Sequence, residues 1–181
     1  MRSFIAIDFP TETVERIARV QAGLSVGRKV PPENLHLTLA FLGDQDVDAL
    51  ETLDAELSHL RAAPFRLDLA GLDLLDSETP DLLYLGVRPV PELTALQAGV
   101  AAAVRRAGMT LPRRRFRPHV TLARFGHRFD SKLSVPLAAY LAQMAGLALP
   151  AVEITSFALF ASELRADGAR YAELARYQLG F

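Results

Sequence analysis

The stretch Asn34-Leu35-His36-Leu37-Thr38-Leu39-Ala40-Phe41-Leu42-Gly43 returns, altered, as Arg117-Pro118-His119-Val120-Thr121-Leu122-Ala123-Arg124-Phe125-Gly126. Aligned on their histidines, the copies agree at His, Thr, Leu, Ala and Gly. The apolar residues around each histidine predict a half-buried strand, with His36 and Thr38 on one face and His119 and Thr121 likewise sharing one. Strand rise sets the Cα atoms of such i, i+2 pairs roughly 6.6 Å apart, so an imidazole and a hydroxyl can touch one small polar ligand. Two imidazoles facing one ligand point to paired acid and base chemistry.

The two histidines lie a little under half the chain apart, and each motif strand is followed by a short loop and a helical pattern, so the chain reads as a duplicated half-domain. Residues 2–8 predict a strand, and Thr11 is a candidate cap for a helix through about Gln21, ended by Gly23. A helix is expected from about Val47 to Leu60, and strands near 65–74 and 82–88. Pro91 opens a long helix to about Ala107, stopped by Gly108. The second motif strand is expected at about 116–125, a helix near 134–145, and strands at about 149–160 and 169–178. The segment joining the strands at 65–88 is too short for a helical crossover, which favours antiparallel or mixed pairing. The expected fold is α+β: one bilobal domain over residues 1–181, its two sheets and flanking helices disposed about a central cleft to which each lobe brings one His-x-Thr.

Half of the 181 residues are apolar, enough to bury a real core. There is no cysteine, which excludes disulfides, thiolate nucleophiles and thiolate zinc sites and fits a reducing cytoplasm. Arg2 to Phe9 is a short apolar run closed by Pro10, lacking the basic start and long apolar stretch of a signal peptide or membrane anchor. A soluble cytoplasmic monomer without a membrane partner is expected.

A net charge of −1 conceals a local asymmetry. No acidic residue falls between Leu93 and Phe129, yet Arg105, Arg106, Arg113, Arg114, Arg115, Arg117, Arg124 and Arg128 do. The acidic run Asp44, Asp46, Asp48, Glu51, Asp54 and Glu56 reads as solvated surface. The arginines bracket the second motif, and guanidinium forks suit phosphate oxygens, so a polyanionic substrate stands beside the plain surface explanation.

Other site types find less support. A duplicated strand end could keep Thr to stabilise the sheet and His to bond backbone, with no chemistry at all. Two histidines lack a third metal ligand, and their spacing is not that of a His-Glu-x-x-His helix. No Gly-x-x-x-x-Gly-Lys loop, Gly-x-Gly-x-x-Gly fingerprint or Gly-x-Ser-x-Gly elbow is present. His59, in the acidic helix, and His127, after Gly126, read as exposed bystanders.

With these flanks the sequence resembles the 2H phosphoesterase superfamily, named for its two His-x-Thr motifs, and within it the RNA 2′,3′-cyclic phosphodiesterase (2′-5′ RNA ligase) family. The likeness is carried by Arg2-Ser3-Phe4-Ile5-Ala6-Ile7-Asp8, by the run from Pro32 through Gly43, by Phe116 through Arg124, and by Ser162 with Gly168-Ala169-Arg170-Tyr171. It implies a bilobal fold with both motifs in a central cleft, no metal or other cofactor, and hydrolysis of a terminal 2′,3′-cyclic phosphate to a 2′-phosphate. The implied partners are RNA ends or nucleotides bearing that group. By likeness, one histidine is base towards water and the other protonates the departing O3′, Thr38 and Thr121 bind phosphate oxygens, and Arg124 binds phosphate.

Histidine titrates close enough to neutrality to serve as either acid or base. Each proton transfer supplies a factor of roughly 10²–10⁴, so two together give roughly 5–11 kcal/mol. Arginines flank His119 and favour its neutral form, while Glu33 stands near His36 and favours imidazolium, which makes His119 the proton acceptor and His36 the proton donor. The repeat breaks where Phe41 aligns with Arg124. Their odd offset from the histidines turns both away from the cleft unless a bulge intervenes. Phe41 is either core or a stacking platform for a base. The same site could also join a cyclic phosphate end to a 5′-hydroxyl, a 2′-5′ ligation. A module that binds RNA ends without turnover is the alternative from another class.

Overall fold

Ile5, Ile7, Leu37, Leu39, Leu83, Leu85, Val120 and Leu122 recur at alternate positions of four segments, and none is more than 3% exposed. That period places them on the buried face of a sheet. The computed structural model describes residues 1–75, 80–113, 115–126, 131–165 and 168–180; Arg114, His127 and Arg128 lie outside these residues. The elements are β1 (Arg2–Asp8), α1 (Thr11–Ala22), β2 (Arg28–Lys29), a 3-10 turn (Pro32–Asn34), β3 (His36–Asp44), α2 (Val47–Ser58), β4 (Phe65–Leu67), β5 (Leu69–Leu75), β6 (Leu82–Val87), α3 (Pro91–Arg106), β7 (His119–Arg124), α4 (Ser131–Gln143), β8 (Val152–Ile154), β9 (Ser156–Arg165) and β10 (Gly168–Gln178).

The main sheet has eight strands in the order β10-β9-β1-β3-β7-β6-β5, with β2 also against β7, and every pairing is antiparallel. The duplication is visible in the order of elements: β1-α1-β3-α2-β4 recurs as β6-α3-β7-α4-β8. Within each half the motif strand pairs with its predecessor, β3 with β1 and β7 with β6. Between the halves like meets like, β3 with β7 and β4 with β8 in a small second sheet. Ile17, Leu53, Leu57, Val100 and Val104 on the helices, all 0% exposed, complete the core with the buried sheet face. The α+β class, the antiparallel sheets and the flanking helices are as expected.

Some boundaries differ for identifiable reasons. The strand expected at 65–74 divides into β4 and β5, and that at 149–160 into β8 and β9, because each segment passes from the small sheet to the large one and changes partner at Asp68 or Thr155. Thr11 is the first helical residue; Pro10, extended at φ −55° and ψ 151°, occupies the cap without a side-chain bond. Asp46 does cap α2, its carboxylate accepting from the Ala49 N–H at 2.8 Å. His59 is exposed at the end of α2, its Nδ1 2.7 Å from the Ala55 carbonyl, as a bystander would be.

Gly86 stands opposite His119 in the β6–β7 ladder, and an added Cβ would lie 2.6 Å from the Ala70 carbonyl oxygen of the next strand. Gly86→Ala must push β5 off β6. A cost of about 1–3 kcal/mol is expected, seen as a fall of several degrees in thermal midpoint; an unchanged midpoint would show that β5 adjusts freely.

Candidate active site

One register pair, Leu37↔Val120, joins the motif strands. Both residues are 0% exposed and point into the core. A single antiparallel step to either side sets His36 across from Thr121 and Thr38 across from His119, on the opposite face. All four are half-buried, as residues lining a recess would be.

Both strands then carry the same irregularity. Ile5 pairs with Ala40 and Ala6 with Thr38, leaving Leu39 extra; Leu83 pairs with Ala123 and Tyr84 with Thr121, leaving Leu122 extra. An extra residue inverts the facing of everything after it. Leu39 and Ala40 are accordingly both buried, as are Leu122 and Ala123, and the next residues, Phe41 and Arg124, are exposed on the histidine side. The expectation from odd offset is thus corrected by a bulge. Phe41, 60% exposed, is no core residue.

The imidazoles are oriented alike. His36 Nδ1 lies 2.6 Å from the carbonyl of Asn34, and His119 Nδ1 lies 2.7 Å from that of Arg117. A carbonyl only accepts, so each Nδ1 carries a proton and donates it, and among the described residues neither Nε2 has a protein partner. Among the described residues the hydroxyls of Thr38 and Thr121 have no protein partner, which leaves them free to donate to a ligand.

The surroundings of the two rings differ. His36 lies 4.9 Å from the ring of Phe4 and 5.3 Å, edge-on, from that of Tyr171. Burial drives its pKa below the ordinary 6.5; the Asn34 carbonyl opposes this, while Arg124 and His119 add to it and Asp8 opposes it more weakly. The charges acting on His36 are therefore Arg124, His119 and Asp8, and the electrostatic role given to Glu33 from sequence proximity is not the one the fold provides. Asp8, across the ladder from His36, is itself gripped by Arg176 at 2.9 and 2.8 Å. His119 is more open, with Tyr84 at 5.2 Å, whose phenol burial and Asp73 both push upward in pKa.

Beside this face lies an open cleft of about 700 Å³, walled by Phe4, Phe41, Arg124, Ser162 and Tyr171 among others. β9 and β10 run on past the end of their pairing with β1, and β10 brings Tyr171 and Ala169 to the His36 side. The Asn34 side chain, 7% exposed, donates from Nδ2 to the Ala169 carbonyl on β10 at 2.7 Å. Asn34 thus ties β10 down with its side chain and orients His36 with its carbonyl. Phe4, Asn34 and Tyr171 were part of the family-like stretches, yet only the curl of the sheet assigns them these contacts. No helix among the described residues is long and apolar enough to cross a membrane, and no cluster of three or more His, Cys, Asp or Glu among them could hold a metal ion.

The architecture is that of solved phosphoesterases. A crystal structure from Thermus thermophilus superposes with a TM-score of 0.82 at 28% identity, covering 99% of this chain and 98% of that one. Escherichia coli LigT complexed with 3′-AMP does so at 0.77 and 28%, covering 98% and 96%. The chain belongs to the 2′-5′ RNA ligase superfamily, whose model matches residues 9–163. The Escherichia coli K12 protein named RNA 2′,3′-cyclic phosphodiesterase is 32% identical over 184 residues, 98% of this chain and 96% of that protein. The family resemblance drawn from the motifs is borne out.

Because folding lowers the His36 pKa, the unfolded chain takes up a proton at pH values where the folded protein resists it. Stability is then full above about pH 6.5 and declines as pH falls through the folded value. His36→Gln should flatten that part of the curve in urea unfolding at several pH values; an identical slope in the variant would assign the effect to other groups.

Proposed function

We propose that this protein hydrolyses RNA 2′,3′-cyclic phosphate ends to 2′-phosphates by paired histidine acid–base catalysis without a metal. The observation that carries it is the pair of imidazoles, each with Nδ1 tied to the carbonyl two residues before and Nε2 bare, in a family whose relatives are named for this reaction. His119 Nε2 takes a proton from water, and the water oxygen attacks phosphorus. The P–O3′ bond breaks, and His36 delivers a proton from Nε2 to O3′. Thr38, Thr121 and Arg124 hold the nonbridging oxygens, where negative charge gathers in the five-coordinate state. Phe41 gives the terminal base a surface on which to stack.

His36 is held towards its neutral form in the free protein, and Arg124 is one cause. A bound phosphate anion offsets that charge and favours imidazolium, so the acid is formed with the substrate in place. With a 5′-hydroxyl in place of water as the nucleophile, the same displacement, O3′ leaving as before, would make a 2′-5′ linkage; abundant water favours hydrolysis. The absence of cysteine and the RNA substrate fit a cytoplasmic location.

Incubating the protein in EDTA with an RNA that ends in a 2′,3′-cyclic phosphate should yield the 2′-phosphate. Binding without product would point to an RNA-end-binding module instead, and loss of activity in EDTA would sink the metal-free route. His36→Ala and His119→Ala should each lose roughly 10²–10⁴-fold in kcat, and Arg124→Ala roughly tenfold or more in kcat/KM.

The pH profile separates the roles. The fall on the basic side, set by the acid His36, should come at lower pH in kcat/KM, which reports the free protein, than in kcat. It should vanish in His36→Ala. If His119→Ala removes the basic limb and leaves the acidic one, the two roles are exchanged.

A further inference from the structure

Past Arg124 the cleft continues to Arg28, and we propose that Arg28 is the core of a subsite for the backbone phosphate on the 5′ side of the terminal nucleotide. The protein then takes an oligonucleotide end in preference to a cyclic mononucleotide. The proposal rests on the phosphodiesterase function above and concerns which ends are chosen.

Arg28 is the register partner of Arg124 across the β2–β7 ladder, and both residues line the cleft. Like charges placed directly opposite in a sheet are destabilising. Neither residue forms an ion pair with a carboxylate among the described residues. Of the other arginines of the cleft, Arg165 pairs with Glu163 at 3.0 Å, and Arg2 has an acidic residue, Asp44, rather than another arginine as its Cα partner in the β1–β3 ladder. Two arginines without a carboxylate partner among the described residues thus stand at adjacent positions of one wall, with Arg124 the member near His36. A polyanion laid along that wall relieves the repulsion, and one phosphate does not span a cleft of about 700 Å³.

The position of Arg28 is also built. β2 has only two residues, yet three contacts hold it. The Gln21 amide, 4% exposed, donates to the carbonyls of Val30 and Leu122 at 2.9 and 2.8 Å. The Val30 N–H donates to the same Leu122 carbonyl at 2.8 Å. Gly27, at φ 78°, lies so close under Phe125 that an added Cβ would be 2.7 Å from its ring. None of these involves the Arg28 side chain, which remains exposed at the rim.

Substrate chemistry supplies the direction. A cyclic phosphate occupies both O2′ and O3′ of the last ribose, so the rest of an RNA leaves through O5′ and its phosphodiester. With the cyclic group at the histidines and Arg124, the next anion is one nucleotide along, where Arg28 extends the cationic wall. A guanidinium fork binds phosphate with two parallel hydrogen bonds.

The test compares adenosine 2′,3′-cyclic phosphate, the dinucleotide ApA with a 2′,3′-cyclic end, and the same dinucleotide with an uncharged methylphosphonate linkage. The charged dinucleotide should have the highest kcat/KM, the methylphosphonate falling towards the mononucleotide. Arg28→Ala should reduce the ratio of charged dinucleotide to mononucleotide by roughly threefold to tenfold and make the salt slope of its kcat/KM shallower by about 0.7. An unchanged ratio in Arg28→Ala, or equal rates for charged and uncharged dinucleotides, overturns the subsite. Calorimetric binding of ApA 2′-phosphate and adenosine 2′-phosphate keeps the two proposals separate. No turnover together with tighter, Arg28-dependent binding of the dinucleotide would refute the hydrolase and uphold the subsite, whereas turnover with indifferent binding would do the reverse.

Discussion

A single antiparallel contact, Leu37 against Val120, decides what the rest of the molecule can do. Both side chains are fully buried, so the opposite face at that point is forced to carry His36 and Thr38 from one half and Thr121 and His119 from the other. Sliding the strands by one residue would turn the whole set over, since strand side chains alternate with period two. The core therefore fixes the geometry of the polar face: the residues that determine register are those that never meet the ligand.

The second constraint is the bulge that follows each threonine. It was the point at which strand periodicity failed. His36, Thr38, His119 and Thr121 were legible because they obey alternation and recur; Phe41 and Arg124 mark the place where the copies diverge, but their facing depends on one extra residue that no pattern of apolar and polar letters marks. The helices were equally legible, with α3 opening at Pro91 and closing before Gly108. Strand ends at 68 and 155 were not, because a change of pairing partner leaves no trace in a locally apolar sequence.

Electrostatics around the imidazoles belong to the same class of hidden information. Sequence adjacency put Glu33 next to His36, while the fold puts Phe4, Tyr171 and Arg124 there. A charge is felt across space, and β10 reaches this face from the far end of the chain. The Asn34–Ala169 bond is the clearest sign of that closure: a buried amide satisfied by a strand more than a hundred residues away.

The like-with-like pairing of β3 with β7 and β4 with β8 has the form of an isologous interface, the kind that two identical subunits make about a two-fold axis. A true homodimer built this way would present the same residue at Phe41 and at Arg124 and could not distinguish one side of its ligand from the other. Carrying both halves on one chain removes that restriction. The two sides keep the register and the bulge, which symmetry supplies, and differ at the one exposed position after each bulge, which gives the cleft an aromatic end and a cationic end.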